Sequence, residues 1–456
     1  MLRTRFTRRR HKVAAAAAAS VIVLAGCGSS SKAASTSATT ASATSGGTAA
    51  PTTAYSGPTV NLTFWSWVPN VQTSVNLWNQ SHPNIQVHLD ETPGGALGTY
   101  AKMFSALQAG NGPDLGQIEY DVLPSFEHVG GLTNIASYVK SYQSDFLPWT
   151  WQQVSVGSAV YAIPQDTGPM GLYYRADLFT KYGLTVPTTW QGFLADAQKL
   201  HAANPNVYLA SFSPADTGWF AGLEWQAGVD WFNTSGNSWV VNMTSSASNQ
   251  VASLWQQMIS QHLVKVEPDF TPAWNKDFAS GTLLTYPGAV WAENGFPTNA
   301  AATAGDWRVA PLPNWGSTPS DGNFGGSTTA VFKDSKHPQQ AAEFAAWLNS
   351  NQQSVTNLIT KGGLYPADIK GQSQPIFSSP VAFYGNENIW KVFSQGASEV
   401  NNNFKWGPVI SSTFTELGDN FTKATAGSGT LSAALAQTQS QTIAAMKQQG
   451  FSVTAG

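Results

Sequence analysis

The side chains with the most chemistry in this 456-residue chain are aromatic and acidic: 18 Trp, 13 Tyr and 23 Phe stand beside 26 Asp and Glu. A flat ring beneath an apolar C–H face, with carboxylates around a hydroxyl edge, is what holds a neutral polyhydroxyl ring. Aromatics offer large amphipathic contact area, and ionised acceptors make the stronger hydrogen bonds. The candidate platforms are Trp65, Trp67, Tyr120, Trp219, Trp225, Trp231, Trp291, Tyr365 and Trp390, and the candidate acceptors are Glu119, Asp166 and Glu293. Gly325 and Gly326 would let backbone N–H groups approach a ligand, or serve a turn that needs positive φ. Most tryptophans pack in cores, so position along the chain must separate platforms from packing.

The same acids admit a second chemistry. Two carboxyls roughly 5 to 10 Å apart can hydrolyse a glycosidic bond, and Glu119, Asp166, Glu224 and Glu293 are nominal members of such a pair. No HExxH helix, GxSxG elbow or P-loop accompanies them, and the seven His are scattered without metal spacing. Capture without catalysis is the expectation, with no catalytic residue, no metal and no cofactor. A non-sugar cargo is the other alternative: Tyr173-Tyr174 suits a metal ion and the acidic residues suit a polyamine. Adjacent strand residues face opposite sides, so one of the two tyrosines belongs to the core.

Charge narrows the ligand. Residues 1–26 hold six of the 23 Lys and Arg and no acid, leaving 17 cations against 26 acidic residues, a net of about −9. Charged residues are 11% of the chain, well below the usual share of about 25%. Nucleic acid, which needs many cations, is disfavoured as a partner. Beyond residue 26 the only arginines are Arg175 and Arg308, so a ligand dominated by carboxylate or phosphate lacks its usual bidentate clamp.

The N-terminus sets the compartment. Arg3, Arg5, Arg8, Arg9, Arg10 and Lys12 precede an apolar run from Val13 to Ala25 that ends in Leu24-Ala25-Gly26-Cys27. That order reads as a secretory signal over 1–26, too short to span a bilayer as a helix. Leu-Ala-Gly-Cys resembles a bacterial lipobox, which makes Cys27, the single cysteine, the expected lipidated N-terminus on the outer face of the cytoplasmic membrane. One acylated thiol leaves no disulfide framework and no cysteine nucleophile. Residues 27–57 form a Ser/Thr/Ala-rich tether that cannot bury enough apolar surface to fold.

The elements that must position the candidates follow. Val60 to Trp65 reads as a strand, Val71 to Gln80 as a helix with Val71, Val75 and Trp78 on one stripe, and Ile85, Val87 and Leu89 alternate as a strand. Tyr100, Met103, Phe104 and Leu107 recur at helical spacing before Gly110-Asn111-Gly112-Pro113 stops them. The β-α-β-α-β order predicts an α/β chain with an open, mostly parallel sheet whose ligand crevice lies beyond the strands' carboxyl ends. Pro338 to Leu348 returns to helical spacing, with Ala341, Phe344, Ala345 and Leu348 on one face, and 371–456 is helical in pattern.

Several segments in order carry a family resemblance. They are Ala109-Gly110-Asn111-Gly112-Pro113-Asp114, Tyr161-Ala162-Ile163-Pro164-Gln165-Asp166, Leu172-Tyr173-Tyr174-Arg175-Ala176-Asp177-Leu178-Phe179, Gly183-Leu184 and Val186-Pro187-Thr188-Thr189-Trp190. Ala310-Pro311-Leu312-Pro313, Gly325-Gly326, His337-Pro338 to Phe344 and Leu364-Tyr365-Pro366-Ala367 continue the series. Together they resemble the family 1 extracellular solute-binding proteins, the sugar-binding group of ABC importers that includes maltose-binding protein. The resemblance covers most of 58–370 and departs at Arg175, where the group commonly has Asn. It implies a two-lobe, hinged fold of the periplasmic-binding-protein type II class, with an interlobe cleft that closes on ligand. The lobes are expected at 58–163 plus 308–350 and at 164–307 plus 351–456, with crossings near Ile163 to Pro164, Arg308 to Pro313 and Asn349 to Gln353. The resemblance also implies a ligand-facing residue at Glu119 and a stacking aromatic at Trp291, a neutral mono- or oligosaccharide as ligand, ABC permease subunits as partners, and a monomer.

Overall fold

The computed structural model describes residues 55–456; Cys27, the signal segment and most of the tether lie outside the described residues. The strand Val60–Ser66 alternates buried and exposed positions before its last three residues go under cover. It pairs in parallel with Ile85–Glu91 on one side and Leu115–Glu119 on the other. The helix Gln72–Ser81 between them seats Val75 and Trp78 in the core. There the Trp78 indole N–H donates to the Ile85 carbonyl at 2.9 Å, fastening helix to strand.

Two further strands complete this five-stranded sheet, in the order Ile85–Glu91, Val60–Ser66, Leu115–Glu119, Ser327–Val331, Ala162–Pro164. Ser327–Val331 runs antiparallel to both of its neighbours, so the sheet is parallel only in its first half. A late return by the chain, about 160 residues after it left, inserts this strand, and local hydrophobic periodicity carries no trace of that. The helix Pro338–Ser350 then covers the sheet with Ala341, Phe344, Ala345 and Leu348, all fully buried.

A second sheet holds Met170–Arg175 between Thr285–Ala289 and Trp307–Ala310, antiparallel on both sides. Met170–Arg175 and Thr285–Ala289 are mostly apolar and nearly every residue in them is buried, whereas Trp307–Ala310 alternates buried and half-buried positions. The helices Trp390–Glu399, Ile410–Thr425 and Leu431–Gln448 follow the helical pattern expected for 371–456, but Val453–Ala455 departs from it as a strand beside Ser238–Val241.

Trp307–Ala310 belongs to the second sheet and the chain next pairs with the first at Ser327, so the passage between them overlaps the crossing expected near Arg308 to Pro313. The helix Gln352–Thr360 stays with the first lobe, its Gly362 terminus meeting Val68, so the last crossing falls near Tyr365 to Ala367, not at 349–353. The three crossing segments are bonded to one another. The Gln165 N–H donates to the Ser327 carbonyl at 2.9 Å, Thr167 N–H to Tyr365 at 2.8 Å, and Ala367 N–H to Gln165 at 3.0 Å. Short hydrogen-bonded segments of this kind make a hinge whose few dihedrals can absorb a lobe rotation.

Candidate functional site

At the carboxyl end of Leu115–Glu119 the chain turns through Tyr120, which is buried, and Asp121. The Tyr100 hydroxyl donates to Glu119 Oε2 at 2.8 Å, and the Glu119 backbone N–H donates to the Tyr100 oxygen at 3.0 Å. Half-buried Trp67 sets its ring edge on Tyr100 at 5.8 Å and is fixed through its backbone N–H to Gln117. Burial raises the Glu119 carboxyl above the usual range. Burial, reinforced by the Glu119 charge, pushes Asp121 up to about 8.

The hinge adds polar groups that the protein leaves unused. Gln165 is 1% exposed, and neither its amide oxygen nor its amide nitrogen has a hydrogen-bond partner among the described residues. The Tyr120 and Tyr365 hydroxyls and Asp121 Oδ1 are in the same condition. A buried polar group without a partner costs about 1–3 kcal/mol, and Gln165 leaves both ends of its amide in that state within a crossing segment. Asp166 is partly spent: its Oδ1 accepts from the Ser327 N–H at 2.8 Å. Burial nonetheless pushes its carboxyl up to about 7.

From the second lobe Trp291 faces the hinge. Its indole N–H donates to the Phe324 carbonyl at 2.9 Å, and its ring meets Phe324 at 5.1 Å and Phe270 at 5.7 Å. A cavity of about 370 Å³ opens beside it, lined among others by Pro69, Trp291, Glu293, Gly362, Tyr365 and Trp390. Pro69 comes from the first sheet's side, so the cavity spans the cleft. Burial pushes Glu293 up to about 7. Phe377 wedges between Tyr365 and Trp390 at 5.0 and 5.1 Å, which sets both rings at the wall.

Other candidates are packing. Trp219 and Trp225 donate their indole N–H groups to the Pro287 and Asn401 carbonyls at 2.7 and 2.8 Å. Trp225 stacks on Phe404 at 4.3 Å, and Trp231 is fully buried with its N–H on the Glu224 carboxylate. These three fill the second lobe's core because Thr217–Gln226 is buried on every side. Glu224, held by Trp231 and Ser248, is likewise interior. Trp65 lies mostly under Lys102, whose Nζ is 3.8 Å from the ring centroid. Gly325 and Gly326 have φ of +81° and +93°, so the turn reading holds for both. Of the tyrosine pair, Tyr173 is buried with its hydroxyl donating to the Ala289 carbonyl.

Asp121, Gln165, Phe270 and Phe324 lie beside these candidates without having been singled out in the sequence. Asp121 sits in the turn after Glu119, and Phe270 and Phe324 sit outside the named helices and strands, where no periodicity marks them. Among the described residues no group of three or more His, Cys, Asp or Glu is placed to hold a metal ion, and no helix is long and apolar enough to cross a membrane.

Comparison with known proteins agrees with this architecture. The model of the bacterial extracellular solute-binding protein family matches residues 62–355. The galacto-N-biose-/lacto-N-biose I-binding protein of an ABC transporter from Bifidobacterium longum, solved with lacto-N-biose, superposes with a TM-score of 0.78 at 30% identity, covering 88% of this chain and 100% of that one. An ABC transporter associated binding protein from B. animalis subsp. lactis, solved with β-1,6-galactobiose, gives 0.75 at 26% identity, covering 87% and 99%. The arabinooligosaccharide-binding protein of Halalkalibacterium halodurans is 23% identical over 383 residues, 78% of this chain and 82% of its own length. The two hinged lobes, the cleft between them and the match over most of the folded chain establish that this protein belongs to the bacterial extracellular solute-binding protein family.

Proposed function

We propose that this protein binds a neutral mono- or oligosaccharide in the interlobe cleft and delivers it, unaltered, to an ABC permease. The observation that carries the reading is the cavity bounded by Trp291, Trp390, Tyr365 and Glu293, close to a hinge whose Gln165 amide and Tyr365 hydroxyl have no internal partner. Ring faces for C–H surfaces and unspent polar groups for hydroxyls are the two halves of a sugar site. Both arginines of the described residues are occupied elsewhere, Arg175 with Asp177 at 2.7 Å and Arg308 with Glu387 at 3.1 Å, which supports an uncharged ligand. Trp291, Glu293, Tyr365, Trp390, Trp67, Glu119, Asp121 and Gln165 are the contacts we assign, with Asp166 holding the hinge and offering its second oxygen.

In this reading Cys27 carries the lipid, the tether lets the lobes stand off the membrane, and a single copy is the working unit. The first lobe comprises 58–165 with about 326–365, and the second the intervening and following residues. Capture leaves the ligand intact in this reading, which the match to a family of solute-binding proteins supports. A thermal-shift screen of the purified chain against mono- to tetrasaccharides tests the proposal, because a ligand raises stability through its affinity for the folded state. A saccharide that raises Tm in proportion to the logarithm of its concentration, and is recovered unhydrolysed, supports it. A larger shift from a metal ion or polyamine than from every saccharide contradicts it.

A further inference from the structure

A groove larger than the cavity at Trp291 lies away from it and shares no lining residue with it. Its volume is about 510 Å³, against about 370 Å³ at Trp291, within the range of about 300–1,000 Å³ usual for small-molecule sites. One wall comes from the first lobe, where the helix Leu123–His128 contributes Glu127 and the run ahead of the first crossing contributes Tyr161. The other comes from the second lobe and brings Trp239, Phe404, Trp406 and Phe451. Two hydrogen bonds tie the walls together: Ser125 Oγ donates to the Pro408 carbonyl at 2.9 Å, and Gln153 Nε2 donates to the Phe404 carbonyl at 2.7 Å.

The groove's polar groups are unspent. The core tryptophans 219, 225 and 231 each donate the indole N–H to a protein acceptor, whereas half-buried Trp239 has no such bond among the described residues. The Tyr161 hydroxyl is equally free, and no side-chain partner reaches the Glu127 carboxyl, which burial alone pushes up to about 7. Phe451, against which His128 lies at 4.3 Å, and Trp239, 6.4 Å from Phe451 and nearly perpendicular to it, form an open aromatic corner. One carboxyl, one phenol and one indole N–H around aromatic faces match the edge and faces of a pyranose or furanose ring. Lys405 and His128 at the margin leave no net charge that would select an anion or a cation.

We propose that the groove bounded by Tyr161, Trp239, Phe451 and Glu127 is a second carbohydrate site, taking one or two neutral sugar rings without sharing a lining residue with the cavity at Trp291. It needs neither Trp291 nor Glu293. The full mature chain labelled with 5-fluorotryptophan tests it, with the Trp239 and Trp291 fluorine resonances assigned from Trp239→Phe and Trp291→Phe and followed during titration with lactose, lacto-N-biose and β-1,6-galactobiose. The expected result is a saturable shift of the Trp239 resonance for at least one of these sugars, retained in Trp291→Ala. Glu127→Gln and Phe451→Ala should each weaken that midpoint roughly fivefold or more while leaving the Trp291 midpoint unchanged. A Trp239 resonance that never moves overturns the second site. So does one that moves only in step with Trp291 and falls silent in Trp291→Ala, since it then reports lobe closure. Movement of Trp239 without Trp291 supports the groove and counts against the cleft reading, so the two fail separately.

Discussion

Trp291 and Trp225 show how one residue type serves two purposes in this molecule. Trp225 is fully buried, stacked on Phe404 and bonded to Asn401; Trp291 is half-buried, fixed by its N–H to Phe324 and open to a cavity on one face. The mutations should therefore separate stability from affinity. Trp225→Ala is expected to cost about 3–5 kcal/mol of stability in urea unfolding, as large core truncations do. Trp291→Ala is expected to change stability far less and to weaken saccharide binding by more than about 1 kcal/mol in calorimetry. In sequence the two were indistinguishable, because a strand, helix or loop position says nothing about which face a later element covers. Trp219 and Trp231 shared that ambiguity; the density of apolar residues in Thr217–Gln226, a helix buried on every side, was a local sign for Trp219 and Trp225 but not for Trp231, which follows it.

Among the elements, the hinge leaves little room for change at Gly326. A Cβ added at Gly326 would stand 2.9 Å from the Tyr120 ring and 3.0 Å from the Asp166 carbonyl, at a φ of +93°. Gly326→Ala should lose about 1–3 kcal/mol of stability through backbone strain, measured by urea unfolding, and should weaken ligand binding because Tyr120 and Asp166 shift with it. Short-range pattern served well where contacts are local: the strand at Val60, the helix from Gln72 and the buried face of Pro338–Ser350 were all legible. It failed where sheet neighbours are far apart in the chain. Ser327–Val331 pairs with Leu115–Glu119 across more than 200 residues, and its antiparallel direction and the true crossings follow from that pairing alone. Of the contacts proposed for the cleft, Trp67, Glu119, Trp291, Glu293, Tyr365 and Trp390 come from the sequence reading, whereas Gln165 emerged only once its burial without a partner was visible.

For the whole molecule, buried acids dominate the pH response. Burial pushes Glu224 and Asp121 up to about 8 and Asp166 and Glu293 up to about 7, whereas unfolded chains titrate them near 4. Between those values the folded state binds more protons than the unfolded one. The contribution of these groups to stability is thus fully present below about pH 4 and lost as pH rises through about 7 to 8. The ligand-free protein should melt at a higher temperature at pH 5.5 than at pH 8.5, and Glu224→Gln should flatten that slope without abolishing it. Scanning calorimetry across the range checks both. The account's central claim, that the cleft at Trp291 holds a neutral saccharide, is tested most directly by isothermal titration of the wild-type chain and Trp291→Ala with the best saccharide from the thermal-shift screen. Saturable heat in the wild type, with a tightest phase weakened more than about fivefold in the variant, is the predicted result; identical isotherms for the two proteins would contradict it.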